Sequence, residues 1–124
     1  MAVWRVRVAR ASQQDLSTIL VWTEQHFGTR QAHTYARTLA LALRALTDGP
    51  EIAGVKPRDD ILPGVLVLHV ARQRRKGRHL IVFRLGRKHI IEVLRVLHDS
   101  MDLARHLEPP PTTSRTPPRP AAAS

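Results

Sequence analysis

Two stretches of helical period meet at a single glycine, and that junction constrains the fold more than any other feature. Leu16, Ile19, Leu20, Thr23 and Phe27 fall on one face of a first helix. Ala32, Tyr35, Ala36, Leu39, Leu43 and Leu46 form the stripe of a second. Gly28 suits the left-handed position that ends a helix, and Thr29 can cap the next one at once. Helices joined by so short a link fold back as an antiparallel hairpin. Ser12 is the expected N-cap of the first helix, with Asp15 at its third position, and Asp48-Gly49-Pro50 stops the second. Alanines 32, 36, 40, 42 and 45 permit close approach. Trp22 lies off the main stripe, either as an exposed anchor or as a cover for the core edge.

Strands flank the hairpin. Trp4, Val6 and Val8 alternate with Arg5 and Arg7, the period of a half-buried strand. Residues 49–64, with three prolines and three glycines, read as an irregular connection. Val65–Val70, Leu80–Leu85 and Ile90–Leu97 read as three strands, the last two joined by a tight turn at Gly86-Arg87-Lys88. Links this short make them antiparallel. Ala71–Gly77 is then a hairpin arm with a positive tip. Ser100 can cap a short closing helix through Met101, Leu103 and Leu107. The expected fold class is α+β: an N-terminal strand, then an antiparallel helical hairpin packed on a small antiparallel sheet, in the order β-α-α-β-β-β-α.

The 124 residues suffice for one domain, expected over 1–108. Residues 109–124 hold six prolines, Arg115, Arg119 and no apolar side chain larger than alanine, and are expected to form a disordered basic tail. There is no cysteine, which excludes disulfide frameworks, thiolate metal sites and thiol chemistry. No apolar run approaches the ~20 residues that span a bilayer. The N-terminus enters Trp4-Arg5-Val6-Arg7 without a signal-peptide core, so a cytoplasmic protein is expected, with no membrane partner.

Charge points to an acidic partner. The formal net charge is +10, with 20 Lys+Arg against 10 Asp+Glu. Seventeen of the cations are arginines, which bind carboxylate and phosphate in bidentate fashion. From Ile61 to Ile91 there is no acid, but there are eight cations: Arg72, Arg74, Arg75, Lys76, Arg78, Arg84, Arg87 and Lys88. Arg84 and Arg95 each interrupt an apolar strand. They either face one another across adjacent strands and await an acidic partner, or pair inside the fold with Glu92 or Asp102.

The seven histidines lack the helical spacing of a metal site, so no metal and no cofactor are expected. His98 stands where the last strand leaves the sheet, near Asp99 and Asp102. A carboxylate there would orient it, either as a structural turn residue or as a base for RNA cleavage. No phosphate loop or catalytic triad is present. At 4% aromatics, a stacking platform for single strands is disfavoured.

The ordered set of pieces resembles the ParE/RelE superfamily of type II toxins over about residues 3–107. The pieces are Ala11-x-x-x-Asp15-Leu16-x-x-Ile19, Phe27-Gly28-x-x-Gln31-Ala32-x-x-Tyr35, Leu62-Pro63-Gly64 and His79-Leu80-Ile81-Val82-Phe83-Arg84. The closing string Arg95-Val96-Leu97-His98-x-x-Met101-Asp102-x-x-x-His106-Leu107 is the most specific and looks like the ParE branch. The resemblance implies a non-enzymatic inhibitor of DNA gyrase with no catalytic residues of its own. It also implies neutralisation by a cognate acidic antitoxin in a hetero-oligomer. Antitoxin or target binding then falls to Arg72, Arg74, Arg75, Lys76, Arg84, Arg95, His98, Met101 and Asp102, with room for direct nucleic-acid contact. The alternatives are a ribosome-dependent messenger endoribonuclease of the RelE type, using His98, Arg95 and the basic arm, and a non-toxic basic nucleic-acid-binding module. The sequence departs from the ParE pattern at Phe83, where tyrosine is usual, in the length of the basic insert 72–76, and in its proline-rich tail.

Overall fold

A computed structural model describes residues 3–101 and 103. Strand β1 (Arg5–Val8) leads into the helical segment Arg10–Ala45. Gly28, at φ 90° and ψ 170°, breaks that segment into α1 (10–27) and α2 (29–45). A positive φ of this size is strained for any side chain, so glycine is the residue that allows the break. A 3-10 turn, Leu46–Asp48, follows. Then come β2 (Lys56–Pro57), β3 (Leu66–His69), β4 (His79–Leu85) and β5 (Ile90–His98).

The two helices fold back as expected. Unbroken and straight, the segment would be about 54 Å long. Instead one end is bonded to β5 and the other returns to the start of β1. The Ser12 hydroxyl donates to the Val93 carbonyl (2.9 Å), beside the Ala9 amide on the same oxygen (3.0 Å). Just past the other end, the Trp4 amide donates to the Thr47 carbonyl (3.1 Å).

The sheet order is β1-β5-β4-β3-β2. Strands β2 to β5 pair antiparallel, as their short links require, and β1 adds to β5 in parallel. The long return through the hairpin is what permits a parallel neighbour. One sheet face, with Leu68, Ile81, Phe83, Ile91, Val93 and Val96, packs under Leu39, Ala42 and Leu46 of α2 and Leu16, Ile19 and Leu20 of α1. Phe83 is fully buried in this layer. The other face, with Val67, Val82 and Leu97, is covered by Ile61, Val65 and Leu103.

Several local expectations are corrected. Helix α1 begins at Arg10 behind Ala9, so Ser12 is not its cap; its hydroxyl is wholly buried against the edge of β5. Phe27 does not join the core stripe and is 63% exposed. The irregular connection contains the two-residue strand β2, where Pro57 is tolerated because the strand is an edge. The segment 71–77 is a compact loop, not an arm of paired strands. It turns through Gln73 and Arg74 at positive φ (50° and 69°), and the Arg75 amide bonds back to the Arg72 carbonyl (2.9 Å). The closing helix and the tail fall outside the described residues, except for Leu103.

Candidate interaction site

The end of the sheet where β3, β4 and β5 carry His69, His79 and His98 gathers most of the ionisable chemistry. A bulge makes this possible. Val82 pairs with Arg95 and Phe83 with Val93, so Leu94 is an extra residue on β5. The resulting shift brings His79 opposite His98, their rings edge-on at 5.3 Å.

Asp99 lies at the centre. Its carboxylate accepts from Arg78 Nε (3.1 and 3.2 Å) and from His69 Nε2 (2.9 Å). The Ala71 amide donates to His69 Nδ1 (3.0 Å), so the ring proton is on the side facing Asp99. The hydrogen bonds from Arg78, then that from His69, hold the Asp99 carboxyl down at about 2. Tyr35 reaches in from α2. Its hydroxyl accepts the Arg78 amide (3.2 Å), which leaves its proton for His79 Nδ1 at 2.6 Å. Burial, then the neighbouring His98, pushes His79 down to about 4, so it is neutral at pH 7. His98 Nδ1 accepts from the Ser100 amide (3.1 Å) and hydroxyl (2.7 Å).

Arg84 and Arg95 are not brought together. Arg84 sits opposite Glu92 and bonds it through Nε at 2.8 Å, the internal pairing that the sequence left open. Arg95 is held by Asp15 of α1 through Nε (2.7 Å) and NH2 (2.9 Å), and the same carboxylate accepts the Val96 amide (2.9 Å). Asp15 is therefore not a helix-start charge. It seals the edge of β5 beyond the point where β1 ends. Its hydrogen bonds raise the Arg95 pKa, so this guanidinium is a structural ion.

Arg72, Arg74, Arg75 and Lys76 form no ion pair with any carboxylate among the described residues. Arg72 instead donates weakly to the Ala53 carbonyl (3.4 Å). Met101 is exposed and lines a cleft of about 260 Å³ with Leu80, Asp99 and Leu103. Asp102 lies outside the described residues. Tyr35, His69, Arg78 and Asp99 were not anticipated as one cluster. The strand pattern alone points to the proximity of His69 and His79, but the bulge that aligns His79 with His98 leaves no sequence mark.

Among the described residues no three His, Asp or Glu side chains are grouped to hold a metal ion, and no helix is long and apolar enough to cross a membrane. The fold and site define a small basic α+β protein with a helical hairpin over a five-stranded sheet and a cationic loop at one end that has no ion pair among the described residues. Residues 6–103 match the family model described as ParE toxin of type II toxin-antitoxin system, parDE. The chain is 31% identical over 101 residues to Toxin ParE1 of Caulobacter vibrioides, covering 82% of this chain and 95% of that protein. It is 32% identical over 103 residues to Toxin ParE1 of Mycobacterium tuberculosis, covering 83% and 97%. Among solved structures it resembles the chromosomal ParDE toxin–antitoxin system from P. aeruginosa (TM-score 0.62, 19% identity, 79% and 98% covered). It also resembles the RelBE2 toxin–antitoxin complex from Mycobacterium tuberculosis (TM-score 0.54, 21% identity, 79% and 93% covered). The chain belongs to the ParE toxin family of type II toxin–antitoxin systems.

Proposed function

We propose that this toxin inhibits DNA gyrase by binding it, breaks no bond itself, and is silenced by an acidic antitoxin in a hetero-oligomer. The observation that carries the non-enzymatic reading is Asp99. A carboxylate kept ionised by Arg78 and His69 sits in the middle of the acid–base groups, and an RNA phosphate brought there would be repelled. The nearby lone pairs are also committed: His79 Nδ1 to Tyr35, and His98 Nδ1 to Ser100. Messenger cleavage of the RelE type would call on Arg95 as a phosphate ligand, and its guanidinium is engaged by Asp15.

Partner binding falls to the cations left exposed. Arg84 and Arg7 flank the Glu92 carboxylate from β4 and β1, Arg5 stands two residues before Arg7 on β1, and this row suits an acidic antitoxin segment. The loop 72–76 supplies a second positive surface. Met101 lines the cleft with Leu80 and Asp99, and His98 ends β5 beside it in sequence.

Purified protein added to gyrase and supercoiled DNA tests the reading, with messenger integrity followed in parallel during in vitro translation. Trapped cleaved DNA with intact messenger is expected. Cut messenger with unaffected gyrase would refute it and favour the endoribonuclease.

A further inference from the structure

Beyond the sheet end, the tip of the helical hairpin displays an aromatic knob. Trp22 is 51% exposed and Phe27 63%, and Val21 beside them is also exposed. The knob is ordered. Trp22 stacks on His26 at 4.1 Å with planes 20° apart, and Phe27 meets Trp22 edge-on at 5.8 Å. His26 Nδ1 is fixed on the Trp22 carbonyl (2.8 Å). Rings held in this way lose little freedom on binding, as interface anchors do.

The basic loop is at the same end. Gly77 closes it against Tyr35, which also bonds Arg78 and His79. Tyr35 is only seven residues past Gly28, about 10 Å along α2. Four cations without an ion-pair partner among the described residues, Arg72 to Lys76, thus share an end with the aromatic tip.

We infer that this end, with Trp22, His26 and Phe27 as anchor and Arg72, Arg74, Arg75 and Lys76 as rim, is the surface that docks on the gyrase protein. Its receptor is an apolar pocket edged by carboxylates. The inference rests on the gyrase reading above and names the surface that serves it. Size and charge choose the occupant. The two large rings expose on the order of 200 Å², and two tips facing each other would oppose their cationic rims, so a second copy does not fit. A segment that folds on binding needs an extended track of ~1,000 Å² or more, which a convex knob does not offer. A preformed pocket on a folded protein matches both the shape and the cationic rim.

The test measures binding of the full chain to purified gyrase without DNA, and trapped cleavage with DNA. It compares the native chain with Trp22→Ala/Phe27→Ala and with Arg74→Glu/Lys76→Glu. All four side chains are exposed, and circular dichroism confirms folding; the single variants Trp22→Ala and Phe27→Ala take over should the pair melt early. Binding weakened tenfold or more in both pairs, with trapping reduced alongside, is expected. Native-like binding by either pair would overturn the inference while leaving the gyrase reading intact. Binding by the native chain that needs DNA would overturn it in favour of a nucleic-acid contact. A native chain that neither binds nor traps gyrase would remove the gyrase reading itself and this inference with it.

Discussion

The Tyr35 hydroxyl donates to His79 Nδ1 across 2.6 Å, tying helix α2 to the start of β4. The bond needs a neutral imidazole, and burial supplies one by holding His79 near 4. Between pH 6.5 and 4 the unfolded chain takes up a proton that the native chain refuses. Native stability is therefore full above about 6.5 and falls as pH drops toward 4. Urea midpoints measured from pH 7.5 to 4.5 should decline, and His79→Gln should flatten that decline. An unchanged slope in the variant would place the titration elsewhere. Tyr35→Phe removes two hydrogen bonds, the one donated to His79 and the one accepted from the Arg78 amide, with an expected loss of ~1–2 kcal/mol at pH 7.

Asp15 and Arg95 form the best-sealed ion pair among the described residues, with the Val96 amide as a third partner. Asp15→Ala strands a half-buried guanidinium and an edge amide, so a loss of ~2–4 kcal/mol is expected. Arg95→Met keeps the aliphatic stem and should lose less. A double-mutant cycle by chemical denaturation checks the pair, and a coupling near zero would show that the contact is idle in solution.

Gly77 is required by its neighbours. A Cβ placed there would lie 2.6 Å from Val70 Cγ2 and 3.0 Å from the Tyr35 hydroxyl. Gly77→Ala should therefore cost ~1–3 kcal/mol by overpacking. It should also lift loop 71–77 from Tyr35, seen as faster amide exchange at Arg78 and His79. Wild-type exchange at both positions would show that the loop absorbs the methyl group without moving.

The hairpin was legible because Gly28 divides two clear helical stripes, and the antiparallel strands because their links are short. Ser12 and Asp15 were misread for a physical reason. Both are good helix-start residues, and local propensity cannot reveal that each is bonded to β5 more than 75 residues away, at Val93 and Val96. Phe27 was assigned to the core by periodicity, but the break at Gly28 carries the last turn of α1 past the sheet. The His69–His79–His98 cluster depends on the Leu94 bulge, which has no local signature. Arg84 was legible down to its two alternatives, and Glu92 decided between them.

That decision bears on neutralisation. Arg84 is exposed and shares Glu92 with Arg7, which stands farther off at 3.8 Å, so both retain hydrogen-bonding capacity for an acidic segment. Arg84→Gln together with Arg7→Gln removes the positive charge without setting carboxylates against Glu92, so the melting temperature should stay nearly unchanged, since surface pairs contribute under ~1 kcal/mol. Antitoxin binding should weaken by roughly tenfold or more, and its dependence on salt should flatten. Arg95→Glu should act differently, because reversal beside Asp15 sets two carboxylates against each other inside the fold and lowers the melting temperature first. Titration calorimetry at two salt concentrations separates the two effects. Undiminished, equally salt-sensitive binding by the Arg84/Arg7 variant would move the antitoxin off the outward sheet face.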